Sequence, residues 1–294
     1  MVAGKAPGKD AIYPEYLKLL GPIARRLLTL LATRCMQTGY IPSALKLAEL
    51  IPLLKPGKKA DDTTSFRPVA LCSCVCKYLE VMMLGRLRPI LEGKLHESQH
   101  GFRPGRQTTD VLHRIAALHA DAKAKGMRLY SVLVDFSKAF DVIEHGLLLE
   151  KLRGMGVPEY IIAWVRAFLT DRSFVVRVGS DHSSERHPSR GVPQGSILGP
   201  VLFLVYVDGL MRALATQGCA EGAAYADDVT LMHQAKTTHE AAEPLQRSLR
   251  IIEKWCKENF MQVNVTKTVQ VVMGCQARAS QLSLLHISEP TRPY

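Results

Sequence analysis

The chain has 294 residues, and at about 150 residues per domain this length predicts two domains or one large one. Hydrophobic residues make up 47% of the sequence and charged residues 22%, which excludes a disordered chain and a collagen-like one. The 38 Lys and Arg residues exceed the 27 Asp and Glu residues, so the net charge is +11 at pH 7. A charge of this sign and size indicates a polyanionic partner, with nucleic acid as the leading candidate.

Seven cysteines are scattered along the chain, and their odd number argues against a disulfide framework. Cys72, Cys74 and Cys76 alternate with single residues, whereas zinc motifs use gaps of two to four, so they are interpreted as small apolar residues in a reducing compartment. The sequence shows neither a long uncharged apolar run nor an N-terminal signal peptide. We therefore expect an intracellular protein with no membrane partner, and the sequence does not indicate its oligomeric state.

The first part of the chain predicts mainly helices. In chain order the predicted elements are two helices over residues 13–38 that are separated at Gly21-Pro22, a strand in AELIPLLKPGKK that ends in a basic turn, and helices over residues 76–91 and 108–124 that flank the polar loop HESQHGFRPGRQ. Thr108 or Thr109 is the predicted N-cap of the last of these helices.

The hydrophobic period changes at Leu129, where LYSVLVDF predicts a buried central strand that stops at an acid. The elements that follow are helices over residues 145–152 and 159–170, a hairpin of residues 173–178 and 185–191, the glycine loop GVPQGSILGP, a helix over residues 201–215, a hairpin with Asp227 and Asp228 at its tip, a helix over residues 240–259 and a strand over residues 269–273. This irregular order predicts an α+β or mixed fold with one antiparallel sheet that receives acids from two neighbouring strands.

Acidic residues end two of the predicted strands, namely Asp135 after SVLV and the pair Asp227-Asp228 after AYA. Ionised groups near a core are unfavourable unless they are paired or bind metal. Mg²⁺ prefers carboxylate oxygens and substrate phosphates, and two ions about 3.5–4 Å apart promote in-line phosphoryl transfer. The pattern favours nucleotidyl transfer, although each acid alone is also compatible with a structural role in a turn.

Six strings together resemble the reverse transcriptase domain of LINE-like (non-LTR) retrotransposons, in their order and approximate spacing, up to about Gly274. They are SFRPVAL, HGFRPGRQ, VLVDFSKAFDVIEH, GVPQGSILGP, YADD and NVTKT. The resemblance implies a right-hand polymerase with fingers and an antiparallel palm sheet packed on helices. It also implies an RNA-directed DNA polymerase that uses two Mg²⁺ ions, or Mn²⁺, with an RNA template, a DNA primer and dNTPs. Its expected location is a ribonucleoprotein in the nucleus or cytoplasm.

By this resemblance, residues 1–128 are mainly fingers with a preceding helical block, residues 129–274 are mainly palm, and residues 275–281 begin a truncated connection. Complete elements carry an upstream endonuclease and a downstream thumb, and we expect neither in this chain, so Met1 is expected to be an internal methionine. Residues 282–294 resemble the translation of a sequencing adapter, which predicts a non-native tail with few core contacts.

The resemblance assigns the metal site to the acids. Asp135 is the expected first ligand, helped by the backbone carbonyl of Phe136, and Asp227 is the second. Asp228 is expected to support the metal site or the primer end. Tyr225 and Ala226 are expected under the primer terminus.

Other residues are implied to bind the incoming nucleotide. Phe140 is expected beneath its sugar, where a large ring would exclude a 2′-hydroxyl, and Gln194 and Gly195 are expected to receive the template base and the nucleotide. Arg67 would neutralise the triphosphate together with a lysine of the LKPGKK turn, for which Lys59 and Lys55 are the candidates. Each group also has a structural alternative. Phe140 would then be a core aromatic residue, the loop with Gln194 and Gly195 would cap a helix, and the lysines would lie in a solvated basic turn.

Three further basic residues receive roles from the resemblance. Lys267 is expected near the leaving pyrophosphate, in a turn held by Asn264, where its ammonium would stabilise or protonate the leaving group. Arg103 and Arg106 are expected to follow the template backbone.

Two other functions remain open at this stage. A group II intron maturase shares the same motifs, although the residues of the strings DFSKAFDVIEH and GVPQGSILGP favour the LINE-like family. A folded but inactive nucleic-acid-binding remnant is the alternative from a different functional class.

Overall fold

The computed structural model describes residues 4–218 and 220–274. Its helices are α1 (Pro14–Lys18), α2 (Pro22–Thr38), α3 (Ser43–Lys46), α4 (Cys74–Glu92), α5 (Thr108–Ala124), α6 (His145–Gly154), α7 (Glu159–Leu169), α8 (Gly199–Gln217) and α9 (Thr238–Glu258). Its strands are β1 (Leu47–Leu54), β2 (Phe66–Cys72), β3 (Arg128–Val134), β4 (Ser173–Val178), β5 (Asp181–His182), β6 (Glu221–Tyr225), β7 (Asp228–Ala235) and β8 (Val269–Met273). The predicted connection and the adapter-like tail lie outside the described residues.

The chain forms two compact units, each assembled from separate segments. The first unit contains residues 4–94 and 143–205, and the second contains the described residues of 95–142 and 206–274. This division differs from the expected change at residue 128, because β4 pairs in parallel with β1 and so joins residues distant in sequence. Such a long-range pairing has no signature in local periodicity. The boundary between fingers and palm stays a prediction.

The sheet of the first unit has the strand order β2-β1-β4-β5. Strands β1 and β2 are antiparallel, whereas β1 and β4 are parallel. This mixed sheet was not predicted. The predicted antiparallel sheet with acids on two neighbouring strands is found in the second unit. Strand β2 was not predicted. It contains Pro68, and its position at the edge of the sheet is where a proline is tolerated.

Helix α4 belongs to the first unit, and one of its faces is buried. Ser73 caps its first turn by accepting hydrogen bonds from the backbone N–H groups of Val75 and Cys76. Buried side chains then recur at spacings of three and four residues along α4, namely Cys76, Leu79, Glu80, Met83, Leu87 and Leu91. One member of this buried face, Glu80, is an acid.

The sheet of the second unit has the order β6-β7-β3-β8 and is antiparallel throughout. Helix α5 packs on the face that carries Leu129 and Met232. Tyr130 points to the opposite face because side chains alternate along a strand, and its hydroxyl lies 3.4 Å from that of Thr238 in α9. Helices therefore cover both faces of the sheet, and the acids lie at the strand ends.

Helix α8 is long and apolar enough to cross a membrane by length and composition alone, but 67% of that segment is buried inside the protein. Residues Leu202, Phe203 and Val205 have no exposed surface. These properties are those of a core helix.

Several predicted elements are refined by the structure. The N-cap of α5 is Gln107, which forms a capping box with Asp110, instead of Thr108 or Thr109. The predicted second strand over residues 185–191 is reduced to one bridge between Phe174 and Arg186, and β5 is the strand that forms the hairpin with β4. The five cysteines among the described residues are free and buried, as expected for small apolar residues.

Candidate active site

The acids converge at one end of the second unit's sheet. The last cross-strand pair of β3 and β7 is Val134 with Val229, so Asp135 and Asp228 follow at directly opposed positions. Both lie an even number of residues from the opposed pair Leu129 and Gln234, which places them on one face of the sheet. The sheet register therefore brings together two acids that are far apart in sequence.

Asp227 lies in the turn of the β6–β7 hairpin. Tyr225 pairs with Asp228, which leaves Ala226 and Asp227 as a two-residue turn. The sequence had placed both acids at the tip, but Asp228 begins the strand. Ala226 adopts a left-handed backbone with φ of 58°, a conformation that is unfavourable for a residue with a side chain.

The three carboxylates interact electrostatically. Desolvation raises the pKa of Asp228, and the neighbouring charges of Asp227 and Asp135 raise it further, while Lys267 opposes them. The ammonium of Lys267 lies 3.2 Å from Oδ2 of Asp135. That oxygen is buried and accepts no hydrogen bond, so the contact is an ion pair without hydrogen-bond geometry.

A short segment after α9 holds the Asp135 backbone. The Asn264 N–H donates to the Asp135 carbonyl at 2.7 Å, and the Ser137 N–H donates to the Gln262 carbonyl at 2.8 Å. The carbonyl of Phe136 takes no part in these two bonds, although the residue itself is bridged to Val263. The Asn264 carbonyl also accepts from the N–H of Lys267, which confirms that Asn264 organises the turn expected from the sequence.

The donor set fits a divalent cation. It offers Oδ2 of Asp135, which is buried and accepts no hydrogen bond, and the carboxylates of Asp227 and Asp228. Hard oxygen donors of this kind are what Mg²⁺ prefers. Within residues 4–218 and 220–274, no group of three or more His, Cys, Asp and Glu side chains has the geometry of a metal site by itself. Mg²⁺ usually takes only one or two carboxylates along with waters and substrate phosphates.

The loop GVPQGSILGP is anchored in the first unit. The Gln194 carbonyl accepts a 2.8 Å hydrogen bond from the Ala70 N–H on β2. Gly195 has φ of 128°, and a Cβ there would lie 2.5 Å from the Ala70 carbonyl oxygen, so only glycine fits. Oε2 of Glu80 accepts hydrogen bonds from the N–H groups of Ile197 and Leu198 at 2.7 and 2.9 Å. The loop is therefore held against β2 and α4.

The three basic residues considered for the triphosphate, Arg67, Lys55 and Lys59, lie on or beside the turn of the β1–β2 hairpin. Arg67 is exposed on β2 opposite Leu53, and Lys59 is exposed in the turn between β1 and β2. The Lys55 ammonium donates to the Thr64 carbonyl at 2.8 Å and so braces the turn itself. Of the two lysine candidates, Lys59 has the more exposed side chain, and its role in binding triphosphate stays a prediction.

Two arginines of the HGFRPGRQ segment donate hydrogen bonds to backbone carbonyls of the polar loop that precedes α5. Arg103 is only 8% exposed, and its Nη1 donates to the carbonyls of His96 and Gln99. Arg106 is half-buried and donates to the Glu97 carbonyl at 2.6 Å. Template contacts by both arginines stay predictions, and the burial of Arg103 shows an additional structural role that sequence reasoning missed.

Phe140 is half-buried and lies edge-to-face with Phe102, with ring centroids 6.2 Å apart. Tyr225 is half-buried and Ala226 is 7% exposed. Thus Phe140, Tyr225 and Ala226 share the second unit with Asp135 and Asp227, whereas Arg67, Lys59, Gln194 and Gly195 belong to the first.

Sequence reasoning missed two buried polar side chains, Glu80 and Gln99. Glu80 holds the GVPQGSILGP loop, and Gln99 contacts the turn that carries Asp227. The available signal was a polar residue on the apolar face of a predicted helix for Glu80. Gln99 had no comparable signal, because it lies in a loop that is polar throughout.

Comparison with known proteins shows the family to which the chain belongs. The chain is 32% identical over 271 residues to the probable RNA-directed DNA polymerase from transposon BS of Drosophila melanogaster, covering 90% of this chain and 30% of that protein. It is 32% identical over 273 residues to the RNA-directed DNA polymerase from mobile element jockey of Drosophila funebris, covering 91% and 30%. The chain thus spans about a third of the length of these relatives.

Solved structures show the same fold. Telomerase from Candida albicans in complex with a TWJ fragment of telomeric RNA matches with a TM-score of 0.57 at 14% identity, covering 90% of this chain and 47% of that one. Apo telomerase from Candida tropicalis matches with a TM-score of 0.56, covering 87% and 56%. This likeness agrees with an α+β architecture of reverse transcriptase fingers and palm. The model of the family described as reverse transcriptase (RNA-dependent DNA polymerase) matches residues 55–287, and the chain therefore belongs to that family.

Proposed function

We propose that this chain is the RNA-directed DNA polymerase domain of a non-LTR retrotransposon and adds dNTPs to a primer 3′ end with the help of two Mg²⁺ ions. The observation that carries the proposal is the convergence of Asp135, Asp227 and Asp228 at one end of a sheet. The names of the relatives support the reaction, and the divalent ions follow from the family and from the oxygen donors.

In this proposal the acids hold the metal site. Asp135 and Asp227 are the carboxylate ligands, the Phe136 carbonyl adds an oxygen, and Asp228 adds negative charge beside them. The bound ions would stabilise charge on the attacking and leaving oxygens of an in-line displacement. Lys267, beside Asp135, contributes a cation that would stabilise the leaving pyrophosphate.

The remaining site residues would bind the substrates. Arg67 and Lys59 would neutralise the triphosphate, with the guanidinium fork of Arg67 suited to phosphate oxygens. The anchored loop would present Gln194 and the backbone of Gly195 to the nucleotide and the template base. These roles come from the family resemblance and from the exposure of the groups.

In the second unit, Phe140 would contact the sugar of the incoming nucleotide. Tyr225 and Ala226 would lie under the primer terminus. Arg106 and the remaining exposed part of Arg103 would contact the phosphates of an RNA template.

Primer extension tests the proposal. A labelled DNA primer annealed to an RNA template, with dNTPs and MgCl₂, should be extended by the chain. Asp135→Asn and Asp227→Asn should each reduce extension by about 100-fold or more, since the ligands of the ions are lost. Affinity for the primer-template should stay within about two-fold, because most of that affinity comes from phosphate contacts elsewhere.

Asp181→Asn serves as the control, because Asp181 is an exposed residue of β5 that has no role in the site. It should extend primers like the parent chain. Equal activity of Asp135→Asn and the control would refute the proposed site.

A further inference from the structure

Gln99 is a buried residue of the polar loop that precedes α5, with 1% of its surface exposed. Its segment runs beside β6 and pairs in parallel with Ala224. The His100 N–H donates to the Ala224 carbonyl and the Ala224 N–H donates to the Ser98 carbonyl, both at 2.8 Å. The loop thus extends the edge of the sheet next to the turn that carries Asp227.

The side-chain amide of Gln99 bonds to both sides of one turn residue. Its Oε1 accepts from the Ala226 N–H at 3.0 Å, and its Nε2 donates to the Ala226 carbonyl at 3.0 Å. Oε1 also accepts from the Gly101 N–H at 2.9 Å. A donor and an acceptor of one amide are therefore both used on the backbone of Ala226.

These two bonds constrain the peptide planes on either side of Ala226. The N–H belongs to the Tyr225–Ala226 peptide and the carbonyl belongs to the Ala226–Asp227 peptide. Holding both planes determines φ and ψ of Ala226, which lies in the unfavourable left-handed region. The second plane contains the Asp227 N–Cα bond, so its orientation limits the directions available to the Asp227 side chain.

The loop that presents Gln99 is itself braced. Nη1 of Arg103 donates to the Gln99 carbonyl at 3.2 Å and to the His96 carbonyl at 2.9 Å. The His96 N–H donates to Oδ1 of Asp208 at 2.6 Å, and Asp208 is a buried residue of α8. The backbone of Gln99 is therefore connected to helix α8 by hydrogen bonds through Arg103 and His96.

The backbone of the loop also touches the turn directly. A methyl group added at Gly101 would overlap the backbone nitrogen of Ala226, so no side chain fits between them. Gln99 is 1% exposed and Ala226 is 7% exposed, and polar groups buried to this extent must find hydrogen-bond partners.

We propose that Gln99 is a positioning residue that holds the Ala226–Asp227 peptide, and so the Asp227 carboxylate, in the geometry needed for nucleotidyl transfer. The catalytic part of this inference rests on the proposed function, whereas the positioning of the turn does not. Gln99 does not touch substrate and acts only through Ala226.

Residue-resolved hydrogen exchange of the whole chain tests the positioning. In the parent chain the Ala226 and Gly101 amides should exchange slowly, although the first lies in a two-residue turn. Gln99→Met keeps the side-chain length and removes both polar atoms. It should accelerate exchange at these two amides by at least about 10-fold and leave α9 unchanged, because local opening need not involve the whole domain.

Gln234→Met is the matched control. Gln234 lies in β7 of the same sheet, and its amide donates to the Leu118 carbonyl and to Asp121, each at 2.9 Å. It should leave exchange at Ala226 and Gly101 unaltered. Fast exchange of Ala226 in the parent chain, or no change at Ala226 in Gln99→Met, would overturn the positioning role even if the variant is less stable overall.

Primer extension tests the catalytic part of the inference. Gln99→Met should lower kcat by about 10- to 100-fold and leave KM for dNTP within about two-fold, as expected when a reacting group is misplaced. A loss in KM alone would refute the effect on Asp227. If the parent chain does not extend primers, the proposed function fails, while the hydrogen-exchange result still decides the positioning role.

Discussion

Oε2 of Glu80 accepts a 2.7 Å hydrogen bond from the backbone N–H of Ile197, which joins helix α4 to the GVPQGSILGP loop. The carboxyl group is completely buried, and its Oε1 has no hydrogen-bond partner. Whether this carboxyl group is protonated therefore affects the stability of the loop.

Stability should depend on pH through Glu80. Burial raises the pKa of Glu80 from 4.5 to about 7, against the opposing effects of the Leu198 and Ile197 N–H groups, Lys77 and Arg172. Because the folded pKa is raised, the stabilising contribution is complete below the unfolded pKa and is lost as the pH rises through about 7. A difference of one between the folded and unfolded pKa values changes the free energy of unfolding by about 1.4 kcal/mol.

Glu80→Gln mimics the protonated acid and should remove this dependence. Its free energy of unfolding in urea should fall less than that of the parent chain between about pH 5 and about pH 8. Glu185→Gln, at an exposed position, should behave like the parent. An identical pH dependence in Glu80→Gln and the parent would show that Glu80 does not titrate in this range.

Two glycine substitutions should have opposite effects on stability. Gly101→Ala would push a methyl group into the backbone of Ala226 and should destabilise the fold by about 1–3 kcal/mol. Gly85→Ala, at an exposed position in α4 with nothing within 4 Å, should stabilise it by about 0.5–1 kcal/mol. Urea unfolding measures both, and a neutral Gly101→Ala would contradict the close approach of loop and turn.

Sugar selection should depend on Phe140. Phe140→Ala removes a half-buried ring that packs edge-to-face on Phe102, and we expect the variant to incorporate ribonucleotides much better than the parent. The measurement is the ratio of kcat/KM for dNTP to that for rNTP. Phe260→Ala, at an exposed aromatic position, is the control and should keep the parent ratio. An unchanged ratio in Phe140→Ala would assign the ring to packing alone.

Affinity for the primer-template should fall steeply with salt. A chain with net charge +11 that neutralises about four phosphates should lose about 100-fold in affinity between about 50 and 200 mM salt. Arg106→Gln should reduce the slope of log K against log salt by about one unit. Arg153→Gln, which removes an exposed partner of Glu159, should not change the slope. Salt-independent binding would point to a protein partner.

The local sequence pattern was enough to predict several helices and strands. The bounds of α5 were predicted at the observed residues, and the strand that ends before Asp135 was found from its change of hydrophobic period. The acids were found at the ends of predicted strands and the glycine loop before an apolar helix, whereas the NVTKT turn was found only through the family resemblance. Such features depend on side chains that are neighbours in sequence, where periodicity and turn preferences act directly.

Tertiary structure decided which segments form each unit and which polar groups hold the site. The parallel pairing of β1 with β4 and the opposition of Asp135 to Asp228 are set by sheet register between distant strands. Glu80 bonds a residue 117 positions away, and Gln99 bonds one 127 positions away. A buried amide or carboxylate finds its partner only after the chain has closed around it, so local sequence contains no signal for that choice.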